Sequence, residues 1–166
     1  MAFSKLSYTA ESRAMLTDII DESQVVAVAE FPEDFQQILC DIILQEVRKS
    51  TYCVLTDVIV RRGKVADYVA EVSAVIADYW DAGDHRKADA YAEAMLRGDR
   101  FPPVIVDRPG GMLRDGYHRI AACVQIGSAL VDVVYVYENA ERFEDSLTVQ
   151  DRRGVWSREG DTACGT

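Results

Sequence analysis

The chain has 166 residues, 49% hydrophobic and 28% charged, a balance that excludes a disordered or collagen-like polymer and fits one soluble globular domain. The net charge is −10, with nine acids and four bases over 1–50, nine and seven over 51–100, and ten and seven over 101–166, so no basic stripe exists to follow a nucleic-acid backbone. No run approaches the roughly 20 apolar residues of a membrane span, and Met1 to Lys5 lacks the apolar core of a signal peptide, which makes a cytoplasmic location the expectation.

Taken in chain order, residues 10–22 predict a short helix after Thr9, with Ala14, Leu16, Ile19 and Ile20 apolar. Gln24 to Glu30 predicts a strand. Pro32 stands where a helix prefers proline, with Glu33 and Asp34 at the positive end. Phe35, Ile38, Leu39, Ile42, Ile43 and Val47 then recur at helical spacing toward Arg48-Lys49. Tyr52 to Val60 is β-branched and predicts a buried strand. Val65, Tyr68, Val69, Val72, Ile76 and Tyr79 mark one face of a helix ending at Trp80. A further helix is expected from about Asp84 to Arg97, with Gly98 as its left-handed cap.

Pro102-Pro103 leads into a short strand, Val104 to Val106. Arg108-Pro109-Gly110-Gly111 has the type II turn pattern, so Met112 and Leu113 return as the other arm of a hairpin. Tyr117 to Ile126 predicts a helix closed by Gly127, and Leu130 to Tyr137 a strand. Residues 150–166 carry no pattern and are expected to form a flexible tail. The order of elements predicts an α+β class: a small mixed sheet with packed helices over 51–149, and a mainly helical addition over 1–50.

The candidate chemistry lies at Asp115-Gly116-Tyr117-His118-Arg119. A hairpin delivers the chain to Gly116, where the backbone turns and a helix begins with its first N–H groups facing outward, an arrangement that favours an anion. Arg119 offers a fork of two bonds to phosphate oxygens and His118 a further donor. Asp115 either caps the helix or pairs with one of these bases. Two cations in a first turn oppose the helix dipole by about 0.3–1 kcal/mol each, so Arg119 is expected to gain its partner only when phosphate arrives. The bland alternative is that Asp115 caps, Arg119 pairs with a surface acid and His118 is solvated.

Other residues carry less. Asp84-His85-Arg86-Lys87 opens a helix and could face a ligand. Asp57, Asp67 and Glu71 are weak candidates for a base. Tyr68, Tyr79, Trp80 and Tyr91 read as packing rather than a stacking platform. Cys40, Cys53, Cys123 and Cys164 form no C-x-x-C pair, and with only His85 and His118 beside them a zinc site has little to build on. Cys123 reads as a small packed hydrophobe.

The segment Phe101 to Val136 resembles the ParB/sulfiredoxin superfamily. The likeness rests on Pro102 to Val106, the glycine-rich hairpin, the D-G-x-H-R motif at Asp115 to Arg119, the small-residue helix Ile120-Ala121-Ala122, Gly127 and the valine strand; with the preceding helix it spans about residues 52–140. It implies a ParB/sulfiredoxin-like fold and a nucleoside triphosphate site for ATP or CTP with Mg²⁺. Gly116, Tyr117, His118 and Arg119 would line that site, with Asp115 and His118 as the catalytic candidates of a kinase or NTP hydrolase. Sulfiredoxins carry cysteine where this chain has Tyr117, so sulfinic acid reduction is not expected. Chromosome-partitioning members carry Gly-Glu-Arg-Arg and a following helix-turn-helix domain; the residues after Ala140 are too few for one, and duplex DNA recognition is not expected. A non-enzymatic reading stands beside this one: an acidic interaction protein, for instance a phage or plasmid factor that binds a basic surface of a host protein.

Overall fold

The computed structural model describes residues 23–47 and 54–147; the expected helix over 10–22 and the tail over 150–166 lie outside the described residues. Five strands form one sheet: β1 (Ser23–Ala27), β2 (Asp57–Lys64), β3 (Val104–Val106), β4 (Leu113–Asp115) and β5 (Leu130–Tyr135), in the order β1-β2-β5-β3-β4. Every neighbouring pair is antiparallel except β3 and β5. A parallel pair needs a crossover, and the chain between those two strands supplies it with β4 and the helix α4 (Tyr117–Gln125). The other helices are α1 (Glu33–Glu46), α2 (Val69–Tyr79), α3 (Ala82–Leu96) and α5, residues 136–147. The class is α+β, as the patterns predict.

Alternation along the strands divides the interior into two cores. Ile105, Val134, Val58 and Val60 point to one face, where Phe35, Leu39 and Ile43 of α1 and Ala140 of α5 cover them. Val104, Val106, Val131 and Val133 point to the other, beneath Val72, Ala88 and Ile120 of α2, α3 and α4. α1 is thus one wall of the first of these cores, and β1 is the edge strand of the same sheet. Residues 23–47 share the sheet and core of the expected 51–149 domain.

Several element boundaries differ from the sequence reading. The strand expected over Gln24 to Glu30 ends at Ala27, and Val28–Glu30 form a 3-10 turn. The strand expected over 52–60 runs instead from Asp57 to Lys64. Its charged end is accommodated by partners: Arg61 binds the carboxylate of Glu138 with Nε at 2.8 and 2.9 Å, and Arg62 lies opposite Asp132 in the ladder. The expected helix from Val65 begins as a 3-10 turn over Val65–Tyr68. The strand expected to reach Tyr137 ends at Tyr135, and residues 136–147 turn into α5. There the side chain of Asn139 continues the β2 ladder that β5 abandons, accepting from the Ile59 amide at 2.7 Å and donating to the Tyr135 carbonyl at 2.8 Å. Buried polar backbone needs such a replacement.

The turn chemistry follows the sequence. Gly111 donates to the Arg108 carbonyl at 2.8 Å, and Gly110 between them has φ 73°, the positive value a type II turn requires. Arg114 crosses the hairpin to Asp107 at 2.7 Å and approaches Glu46 of α1 at 3.6 Å.

Candidate functional site

The hairpin ends in Gly116, which is buried with φ 114° and ψ 20°. A side chain there would be strained, and its Cβ would stand 2.6 Å from Val104 Cγ1. This left-handed residue is the N-cap of α4 and, being glycine, contributes no side-chain cap. The first intrahelical bond runs from the Ile120 amide to the Gly116 carbonyl at 2.9 Å. The amides of Tyr117, His118 and Arg119 donate to no partner among the described residues. A helix start without a cap, on a buried residue, leaves its positive end to be satisfied from outside.

Arg119 does not stand free as the sequence reading expects. Its side chain is buried, with Nη1 donating to the carbonyls of Pro102 and Pro103, each at 2.7 Å, and Nη2 donating to the carboxylate of Asp115. The guanidinium also lies 5.3 Å from the centre of the Phe35 ring. Burial pulls its pKa down, and Asp115 pushes it back up. The dipole conflict expected in the first turn is relieved by carbonyls and a carboxylate within the fold, so Arg119 ties the Pro102-Pro103 segment to the end of β4. Asp115 takes the pairing role of its two alternatives.

Tyr117 points to the other side of the helix start. Its hydroxyl lies 2.9 Å from the Leu113 carbonyl and 3.0 Å from Glu71 Oε1. Burial, then the Glu71 carboxylate, pushes its pKa up to about 12. Glu71 of α2 also accepts from the Leu113 amide at 3.1 and 3.2 Å. Its carboxylate is thereby committed to clamping β4 and the head of α4. Asp57, another weak base candidate, pairs with Arg142 of α5.

His118, also half-buried, meets residues that sequence spacing did not connect to it. Its Nε2 lies 2.9 Å from Asp84 Oδ1, in the first turn of α3. Its ring stacks on Trp80, with centroids 4.8 Å apart and planes at 16°, and Tyr91 approaches edge-on at 6.5 Å. His85 meets the same Trp80 at 5.4 Å. Asp84 is held in turn by the α3 capping box: it accepts from the Asp81 amide at 3.1 Å, while Asp81 accepts from the amides of Gly83 at 2.6 Å and Asp84 at 3.0 Å. The bond with His118, then that from the Asp81 amide, holds the Asp84 carboxyl below its ordinary value.

The sequence reading takes Trp80 as packing and connects neither Trp80 nor Asp84 to His118. A partial signal was present, since the Asp84 to Lys87 run already reads as a helix start able to face a ligand. No group of three or more His, Cys, Asp and Glu suited to a metal occurs among the described residues. Cys123 is buried, which pushes its thiol up to about 11, away from thiolate chemistry. No helix among the described residues is long and apolar enough to cross a membrane. No family model, curated protein or solved structure matches this chain.

Proposed function

We propose that this is a ParB/sulfiredoxin-like nucleotide-binding protein that holds the phosphates of a nucleoside triphosphate at the N-terminus of α4. The observation that carries the reading is the set of amides at Tyr117, His118 and Arg119, uncapped above a buried left-handed glycine. Such amides and the helix dipole together favour a phosphate group. His118 adds a polar ring beside them. Arg119 serves the same site indirectly, by fixing Pro102-Pro103 and Asp115 around the turn. Mg²⁺ would come with the triphosphate, because this ion keeps most of its ligands as waters and phosphate oxygens.

Thermal melting of the full chain tests the proposal. ATP or CTP with Mg²⁺ at 100 times its dissociation constant adds about 2.7 kcal/mol of stability. A melting temperature that stays flat with every nucleotide up to millimolar concentration rejects the proposal and leaves the acidic interaction protein as the reading to pursue.

A further inference from the structure

We infer that Asp84 is a positioning residue that fixes neutral His118 as its Nε2–H tautomer, leaving Nδ1 to take the proton from a hydroxyl group at the head of α4. The tautomer rests on the contact geometry and on the ionised Asp84 carboxylate; the hydroxyl and what it attacks rest on the phosphate reading above.

An ionised carboxylate only accepts hydrogen bonds, so the nitrogen 2.9 Å from Asp84 Oδ1 carries the proton. Asp84 stays ionised across the neutral range because its bonds with His118 and the Asp81 amide favour the charged form. A neutral imidazole has one N–H, so Nδ1 keeps its lone pair. That atom has no hydrogen-bond partner among the described residues. The parallel stack on Trp80 and the edge of Tyr91 hold the ring plane, which keeps Nε2 aimed at α3. Asp84 is itself immobilised by the α3 capping box. A base whose proton-bearing nitrogen is tied to a carboxylate, with its second nitrogen keeping a lone pair without a partner among the described residues, is arranged for proton transfer.

The chemistry this allows is attack on a nucleoside triphosphate by water or an alcohol. The hydroxyl proton passes to Nδ1 as its oxygen forms a bond to the terminal phosphorus. The bond from that phosphorus to the bridging oxygen breaks, and the electron pair leaves on the nucleoside diphosphate. The imidazolium, paired with Asp84, then returns its proton to water.

The test uses the full chain with ¹⁵N-labelled histidine, whose spectrum holds only His85 and His118. At a pH of about 8, above the ordinary histidine pKa of about 6.5, long-range ¹H–¹⁵N correlations are expected to show His118 protonated at Nε2. Asp84→Ala is expected to lower the excess of that tautomer about ten-fold or more, as loss of a charged hydrogen bond implies. Asp84→Glu is expected to restore part of it. Asp81→Ala disturbs the same cap but leaves the carboxylate beside His118, and should leave the tautomer alone. A wild-type His118 protonated at Nδ1, or a tautomer ratio indifferent to Asp84→Ala, overturns the positioning role even where phosphate binds. Inorganic phosphate, used as the probe, is expected to move the Nδ1 resonance and the amides of Tyr117 to Arg119. Silence at all of these rejects the phosphate reading and the proton-acceptor role with it, while the tautomer result stands by itself.

Discussion

Arg119→Ala separates a structural guanidinium from a ligand-binding one. The side chain is 9% exposed and donates to two proline carbonyls and one carboxylate. Truncation removes charged hydrogen bonds of about 1.5–3 kcal/mol each and orphans acceptors that cost about 1–3 kcal/mol when buried. The Asp115 side chain is 33% exposed and can rehydrate, and Pro102 is half-buried, so only the Pro103 carbonyl bears the full penalty. The net loss is expected at about 3–5 kcal/mol, the range for breaking a buried ion pair. For a chain of this size that lowers the melting temperature by about 6–20 °C. Arg119→Lys keeps the charge but not the fork, and should recover only part of the loss. Calorimetric melting of the ligand-free proteins decides it. A melting temperature within about 2 °C of wild type for Arg119→Ala would show that these bonds do not hold the fold and return Arg119 to the role of a free phosphate ligand, for which the sequence predicts unchanged or slightly raised stability.

Three further outcomes are expected. Gly116→Ala combines a left-handed backbone with a Cβ 2.6 Å from Val104 Cγ1, and should cost about 2–4 kcal/mol in chemical denaturation; a loss below about 1 kcal/mol contradicts the geometry. Asn139→Ala leaves the Ile59 amide unpaired at the β5–α5 junction, and should cost about 1–3 kcal/mol, with the Ile59 amide losing its protection from hydrogen exchange. Asp84 has a lowered pKa in the folded state, so its contribution is complete above the ordinary carboxylate value of 3.8 and is lost as pH falls through the lower folded value. Asp84→Asn should therefore flatten the acid limb of the stability profile below about pH 4, and an unchanged limb counts against the His118 contact.

The elements with strong periodicity were legible in the sequence. The apolar face of α1 at Phe35, Leu39 and Ile43 is the buried face, and the Pro109-Gly110 turn has the backbone its residues require. The two ends of β2 were not, because that strand's charged residues pair across the fold: Arg61 with Glu138, and Arg62 opposite Asp132. Helix α5 was overlooked although Val136, Ala140, Phe143 and Leu147 recur at helical spacing; the preceding valine run drew its first turn into the strand. At the site, the glycine turn and the helix start were legible from local chemistry. The partners of its side chains were not. Asp84 lies 34 residues from His118 and Glu71 lies 46 from Tyr117, separations at which periodicity carries no information. Arg119 was misread because its local dipole conflict is visible in sequence, whereas the Pro102 and Pro103 carbonyls that resolve it meet it only once β3 and α4 pack together.

Whether the uncapped head of α4 receives phosphate is decided by amide-resolved NMR of the wild-type chain titrated with ATP or CTP and Mg²⁺. Saturable shifts centred on the amides of Tyr117, His118 and Arg119 are expected, accompanied by the His118 ring. Shifts confined to other parts of the chain, or no saturable change at millimolar nucleotide, would contradict it.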